Sequence, residues 1–185
     1  MNSLKSIFNL ALIALMLTAC GGSGQESRST AGLAKPGVDL QTAVLSGNLE
    51  AVKQHIAAGS DLNEKEPFGG STPIVTAATF GKTQIAEALI DAGADLSIQN
   101  NDGSTALHAA AFFCHVEIVQ ALIDADVDKT VRNNFGATAR ESVMGPFEEI
   151  KPVYELMQQQ LGSLGLQLDM AEVAKTRPVI AMMLQ

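Results

Sequence analysis

Thr72-Pro73-Ile74-Val75-Thr76-Ala77-Ala78 returns as Thr105-Ala106-Leu107-His108-Ala109-Ala110-Ala111, 33 residues further along the chain. Ile85-Ala86-Glu87-Ala88-Leu89-Ile90 returns at the same offset as Ile118-Val119-Gln120-Ala121-Leu122-Ile123, and Gly70, Gly103 and Gly136 keep step beside them. An earlier copy stands 34 residues back. Ala57-Ala58-Gly59-Ser60-Asp61-Leu62 matches Asp91-Ala92-Gly93-Ala94-Asp95-Leu96, and the extra residue falls between Glu64 and Gly70. A fixed period of this length describes a stack of small units, none of which can bury its apolar face alone. Each unit spells two short helices. Thr72 and Thr105 sit where a hydroxyl can cap the first helix, Pro73 suits a first helical turn, and alanines along that helix let neighbouring units approach closely. The second helix spans Thr83 to Asp91, with Ile85, Ala86, Leu89 and Ile90 on one face. Gly59 and Gly93 end their helices in a left-handed cap.

The motif T-P-L-H-x-A-A, a glycine, a second apolar helix and then G-A-D resembles the ankyrin repeat. The match runs from Val38 to Val143, about three and a half units. The resemblance implies an all-α solenoid of helix-turn-helix units with projecting β-turns. In it Thr72, Pro73, Thr105 and His108 are structural, and His108 hydrogen-bonds backbone in the neighbouring turn. Two departures fall in the third unit. Cys114 stands where Gly81 stands in the second, and Asp126 where Gly93 stands. Either both take φ > 0 at a cost of about 1 kcal/mol, or the turns are reshaped. The first unit reads Val38-Asp39-Leu40-Gln41 in place of the motif, which a capping unit tolerates because its outer face meets water.

Beyond Gly136 the pattern decays, so the repeats are assigned to residues 38–145 and a C-terminal helical cap to 146–185. Thr138 to Ser142 begins a helix that Met144-Gly145-Pro146 breaks. Phe147 to Leu161 reads as a helix with Ile150, Val153, Tyr154, Met157 and Leu161 inward, and Pro152 is expected to kink it or delay its start. Gly162 to Gly165 reads as a linker. Asp169 and Glu172 suggest a capping box for a last helix, which Pro178 is expected to interrupt. The apolar run Val179 to Leu184 is expected to fold back over the last repeat, or to dock another protein.

The other end of the chain reads as a processing segment. Ile7 to Leu17 is apolar apart from Asn9 and only eleven residues long, short of the roughly 20 that a bilayer span needs and typical of a signal-peptide core. Leu17-Thr18-Ala19-Cys20 follows, and it resembles the lipobox of bacterial lipoproteins. The resemblance implies a signal peptide over 1–19, acylation of Cys20, and a tether over 20–37. Gly21 after the cysteine implies the outer membrane, facing the periplasm. Such acyl chains exceed what stable anchoring requires.

Composition narrows the function. Lys plus Arg number 12 against 20 Asp plus Glu, a net charge of -8, which opposes a nucleic-acid backbone binder. Aromatics make up 4% of the chain, with no Trp and one Tyr, too few for base-stacking platforms. Cys114-His115 is a poor dyad, because adjacent helical residues diverge by about 100°. Asp124-Ala125-Asp126-Val127-Asp128 fails as a calcium loop, since its sixth and twelfth places hold Lys129 and Phe135 rather than Gly and Glu. Asp61, Asp95 and Asp128 read as turn formers. The expectation is a non-enzymatic module with no catalytic, metal or cofactor residues, monomeric or weakly self-associating. It would bind an envelope or periplasmic protein through its inter-unit turns. The candidate contacts are Glu64, Glu66 and Phe68, then Gln99 and Asn101, then Arg132, Asn134 and Phe135. Two alternatives stay open: an immunity-type protein that neutralises a toxin delivered to the periplasm, where the chain's acidity would suit a basic toxin, and a thiol- or metal-dependent enzyme using Cys114 and His115.

Overall fold

The computed structural model describes residues 37–185. The signal peptide expected over 1–19, the expected lipidation site Cys20 and all of the expected tether except Gly37 lie outside the described residues. Three helix pairs follow one another: α1 Leu40–Leu45 with α2 Leu49–Ala57, α3 Pro73–Thr79 with α4 Thr83–Asp91, and α5 Ala106–Phe112 with α6 Val116–Asp124. A three-residue turn joins the helices of each pair. The first helices α1, α3 and α5 stack in one row and the second helices α2, α4 and α6 in another. The described residues contain no strand. This is the all-α repeat solenoid that the 33-residue period describes.

The spacing of the first row is set by alanine. Ala77, Ala78, Ala110 and Ala111 are fully buried where α3 meets α5. Leu89, Ile118, Val119 and Leu122 fill the second row with no exposed surface, each contributing about 1.5–3 kcal/mol through burial. Asp39 caps α1 and Asn48 caps α2 by accepting backbone N–H bonds. Gly59 and Gly93 end α2 and α4 with φ of 67° and 80°. In the third unit the positive φ is kept without glycine: Cys114 sits at 61° and Asp126 at 56°.

Thr105 and Thr72 part company. At Thr105 the backbone N–H donates to His108 Nδ1, and the hydroxyl lies 2.9 Å from the same nitrogen. His108 Nε2 reaches the Ala137 carbonyl at 3.2 Å, in the next turn. Thr72, by contrast, caps nothing, and its buried hydroxyl has no partner. The reason is one residue: Val75 occupies the place of His108 and offers no acceptor.

Past the third unit, Glu141–Val143 forms a single 3-10 turn against α5. Helix α7 spans Phe147–Leu161, with Pro152 inside it and its start not delayed. Tyr154 is fully buried on α7, whereas Val153, expected inward, is 38% exposed. Gly162–Leu164 is a 3-10 turn rather than a plain linker. Helix α8 spans Met170–Met183 and is capped by Asp169, which accepts from Ala171 N and Glu172 N. Only half of the expected box forms, because Glu172 turns to Lys175 at 3.6 Å.

Pro178 does not interrupt α8. Its ring is exposed, while Val173, Arg177, Ile180 and Leu184 lie buried at helical spacing. This buried stripe outweighs the one lost backbone bond. Helix α8 lies against α5, α6, α7 and the Glu141–Val143 turn, so the apolar tail closes the end of the array. No helix of the described residues is long and apolar enough to cross a membrane.

The closure turns on two polar side chains. Tyr154 Oη donates to the Phe112 carbonyl at 2.7 Å and accepts from Arg177 Nη1 at 2.9 Å. The Tyr154 ring stacks on Phe112 with centroids 4.6 Å apart. Arg177 is 3% exposed and also reaches the Ser142 and Met144 carbonyls at 3.5 and 3.3 Å.

Two outcomes are expected. Asp126→Gly removes a left-handed strain and raises stability by about 0.5–1 kcal/mol in urea unfolding, whereas Asp126→Ala does not. Tyr154→Phe strands the Phe112 carbonyl and one buried guanidinium N–H, and lowers stability by about 1–3 kcal/mol by the same assay.

Candidate binding surface

Three fingers project, one after each helix pair, built from the residues that link α2 to α3, α4 to α5 and α6 to the Glu141–Val143 turn. Every finger opens on an Asp whose carboxylate accepts the backbone N–H two residues on: Asp61 from Asn63, Asp95 from Ser97 and Asp128 from Thr130, at 2.8, 2.9 and 2.8 Å. The hydroxyls of Ser97 and Thr130 hold the Asp95 and Asp128 carboxyls below the usual range, and the backbone bonds add to this. These acids form turns, as their spacing suggests. A cavity of about 360 Å³ between the second and third units is lined by Asp95, Ser97, Asp126 and Asp128. Two of its carboxylates are thus already committed to their own turns.

Each fingertip folds around one acceptor side chain. Glu66 takes the N–H groups of Phe68, Gly69 and Ser71 at 2.7, 2.6 and 3.0 Å. Burial works to raise the Glu66 carboxyl, but the backbone donors together hold it below its ordinary value. Asn100 takes Asp102 and Ser104 in the second finger, and Asn133 takes Phe135 and Ala137 in the third. A backbone bond closes each tip, from Glu66 N to Ser71 O, Asn100 N to Ser104 O and Asn133 N to Ala137 O. The first tip is one residue longer, which places the extra residue of the 34-residue offset.

The fingers are tied to one another. Asn101 donates its backbone N–H to Gly69 O at 2.8 Å and its carboxamide to Phe68 O at 3.0 Å. Asn134 repeats this one finger on, to Asp102 O and Asn101 O, both at 2.9 Å. Glycine makes the approach possible: at Gly103, where φ is 72°, a Cβ would meet Asn134 Oδ1 at 2.6 Å. Lys65 donates to Gln99 O, and Gln99 donates to Gly103 O and Arg132 O. Arg132 pairs with Glu141 and also donates to Gly136 O. That ion pair raises the Arg132 pKa and lowers that of Glu141 through their hydrogen bond.

Of the eight candidate contacts, five are therefore occupied inside the scaffold: Glu66, Gln99, Asn101, Arg132 and Asn134. Glu64, Phe68 and Phe135 face water, with Phe68 91% and Phe135 79% exposed. The structure brings Phe68, Asn101, Asn134 and Phe135 into one row of tips. It adds Asp102, which the candidate set lacks. The signal for it was positional: Phe68, Asp102 and Phe135 each stand two residues after the tip acceptor.

Groups that could do chemistry are engaged elsewhere. Burial pushes the Cys114 thiol up to about 11, against the opposing charge of Arg177. Its Sγ lies 3.8 Å from Phe112 O and 3.9 Å from Val173 O. His115 turns away and meets Thr79 O with Nε2 at 3.2 Å. Burial lowers its pKa, opposed by that bond and by Glu117. His55 bridges Val38 O and Ser60 Oγ. A nucleophilic thiol needs a depressed pKa and a base within reach, and this pair has neither. No group of three or more metal-ligating side chains gathers among the described residues.

Comparison with known proteins agrees with this architecture. Residues 40–133, half of the chain, match the family model for ankyrin repeats, in three copies. Protein phosphatase 1 regulatory subunit 27 of Homo sapiens and its Mus musculus counterpart are each 44% identical to the chain over 64 residues. The match covers 35% of this chain and 41% of the length of each of those relatives.

A pH dependence follows from the two histidines. Burial holds His108 and His115 below the ordinary imidazole pKa, so the unfolded chain binds protons more readily near pH 6.5. Stability is therefore full above about pH 6.5 and falls as the pH drops from there toward the folded pKa values. Urea midpoints at pH 7.5, 6.5 and 5.5 are expected to decline, and His115→Gln is expected to flatten part of that decline.

Proposed function

We propose a function from one premise: this chain belongs to the ankyrin-repeat family. The repeats form a protein-interaction module, and we infer that its task is to hold another protein at the bacterial cell envelope without catalysing a reaction. The observation that carries this is the finger row. Backbone and carboxamide bonds fix each tip to its neighbour while the tip side chains stay in water. A surface that is rigid before its partner arrives loses little entropy on binding. The half-buried thiol, with its raised pKa, and the engaged imidazole support a non-catalytic reading. The similar human and mouse proteins are named as regulatory subunits of a phosphatase, which supports a role exerted through a bound partner.

The anchor belongs to the same proposal. Leu17-Thr18-Ala19-Cys20 after a short apolar run supports lipidation of Cys20, and Gly21 supports the outer membrane facing the periplasm. Anchoring confines the module to a surface and raises its effective concentration toward other envelope proteins. A modest intrinsic affinity then suffices.

Wild-type protein is expected to partition into detergent, with an intact mass that begins at an acylated Cys20. Cys20→Ser is expected to abolish both. A wild-type mature mass without acyl chains overturns the anchor alone. Turnover of a substrate that is lost on Cys114→Ala or His115→Ala overturns the binding reading.

A further inference from the structure

We propose that the three fingertips form one docking row for a basic partner. Phe68 and Phe135 enter two apolar sockets, and Asp102 on the finger between them pairs with a lysine or arginine set between those sockets. This rests on the reading of the repeats as a binding module and adds the chemistry of the partner.

The three residues are equivalent by position. Each is held by the side chain two places before it, Glu66, Asn100 or Asn133, through its own backbone N–H. Their fingers are locked in sequence by Asn101 and Asn134. Spacing and order are therefore fixed before any partner binds, as aromatic–acid–aromatic. Phe68 and Phe135 are the two most exposed large apolar side chains among the described residues. Nothing in the fold requires a phenyl ring at either tip, because the tip bonds use backbone and the acceptor side chain alone. Each ring leaves water only when another surface covers it, and buried aromatics dominate the energetics of such contacts.

The charge of the partner follows from what surrounds the row. The Asp102 carboxylate is exposed. Of the cations on the fingers, Arg132 is paired with Glu141, and Lys65 and Lys129 are outnumbered by Asp61, Glu64, Glu66, Asp95, Asp102 and Asp128. Residues 37–185 carry 19 acidic side chains against 9 basic ones. An acidic partner would meet like charge over the whole approach, while a basic one is steered toward the row.

The test uses the full chain as bait for a phage-displayed library of disulfide-cyclised random peptides, with affinities of the selected peptides read by calorimetry. The expected winners place Lys or Arg between apolar residues. Phe68→Ala and Phe135→Ala are each expected to weaken them at least tenfold. Asp102→Asn is expected to weaken them several-fold and to flatten their salt dependence. Glu117→Gln, on α6 away from the row, is the control and is expected to leave affinity unchanged. The three tip residues are exposed, so equal thermal midpoints confirm that their variants remain folded. Winners that bind all three tip variants as tightly as wild type overturn the docking row and leave the binding module standing. Failure to select any peptide overturns both. A concentration-dependent dimer that Phe68→Ala or Phe135→Ala dissolves overturns the basic partner and puts a second copy of this chain in its place.

Discussion

The alanines between α3 and α5 set the distance on which the other features depend. With Ala77, Ala78, Ala110 and Ala111 fully buried on these two packed helices, the small side chains let the first helices approach closely. A larger side chain there would force them apart, and interiors packed like crystals do not absorb an extra methylene without strain. The same separation brings the fingers side by side, close enough for Asn101 and Asn134 to bridge them at 2.8 to 3.0 Å. A contact in the helical core thus decides the geometry of a surface built from loops. Rigid fingertips are a consequence of small residues well away from them.

A stack has an open end, and the third unit is closed by an arrangement of another kind. Tyr154 brings a ring that stacks on Phe112 and a hydroxyl that reaches the Phe112 carbonyl. Arg177 then lies buried, with carbonyl and hydroxyl oxygens as partners and no ion pair to a carboxylate among the described residues. Its charge sits 5.8 Å from the Tyr154 ring centroid, within range of an aromatic face. Burying a cation in this way is costly unless its hydrogen bonds are met. In this seating of α8 those bonds are met by the Ser142 and Met144 carbonyls and the Tyr154 hydroxyl. Burial also pushes the Tyr154 hydroxyl up to about 12, against the pull of Arg177, so it stays a neutral donor to Phe112 O.

The residues richest in chemistry serve this scaffold. Cys114 supplies a left-handed turn and lies under α8, near Val173 O. His108 and His115 connect neighbouring units through backbone carbonyls. Function is left to side chains that the scaffold does not consume, and these gather at the tips. A binding role and a repeat architecture are linked here through the fingers: most polar side chains of the tips bond within the stack, while the phenyl rings of Phe68 and Phe135 and the carboxylates of Glu64 and Asp102 stay in water.

The period of 33 residues was enough to determine the helices, their pairing and their stacking order, because it records the same local pattern written several times. The bounds of α4 and α7 could be read directly, and so could the turn-forming role of Asp61, Asp95 and Asp128, since these rest on neighbours a few residues away. The left-handed backbone at Cys114 and Asp126 was legible as one of two choices, because a repeat supplies the glycine to compare. Three things were decided only by tertiary structure. Pro178 stays inside α8 because Val173, Arg177, Ile180 and Leu184 bury themselves against earlier units. Glu66, Gln99, Asn101, Arg132 and Asn134 are spent on the fingers, where four of the five bond across to the next finger or to Glu141 and Glu66 folds its own tip. Thr72 lacks a cap because Val75 displaces a histidine that Thr105 keeps. In each case a side chain's fate depends on a partner whose distance in space the linear pattern does not encode, whereas a helix depends on residues three and four places along.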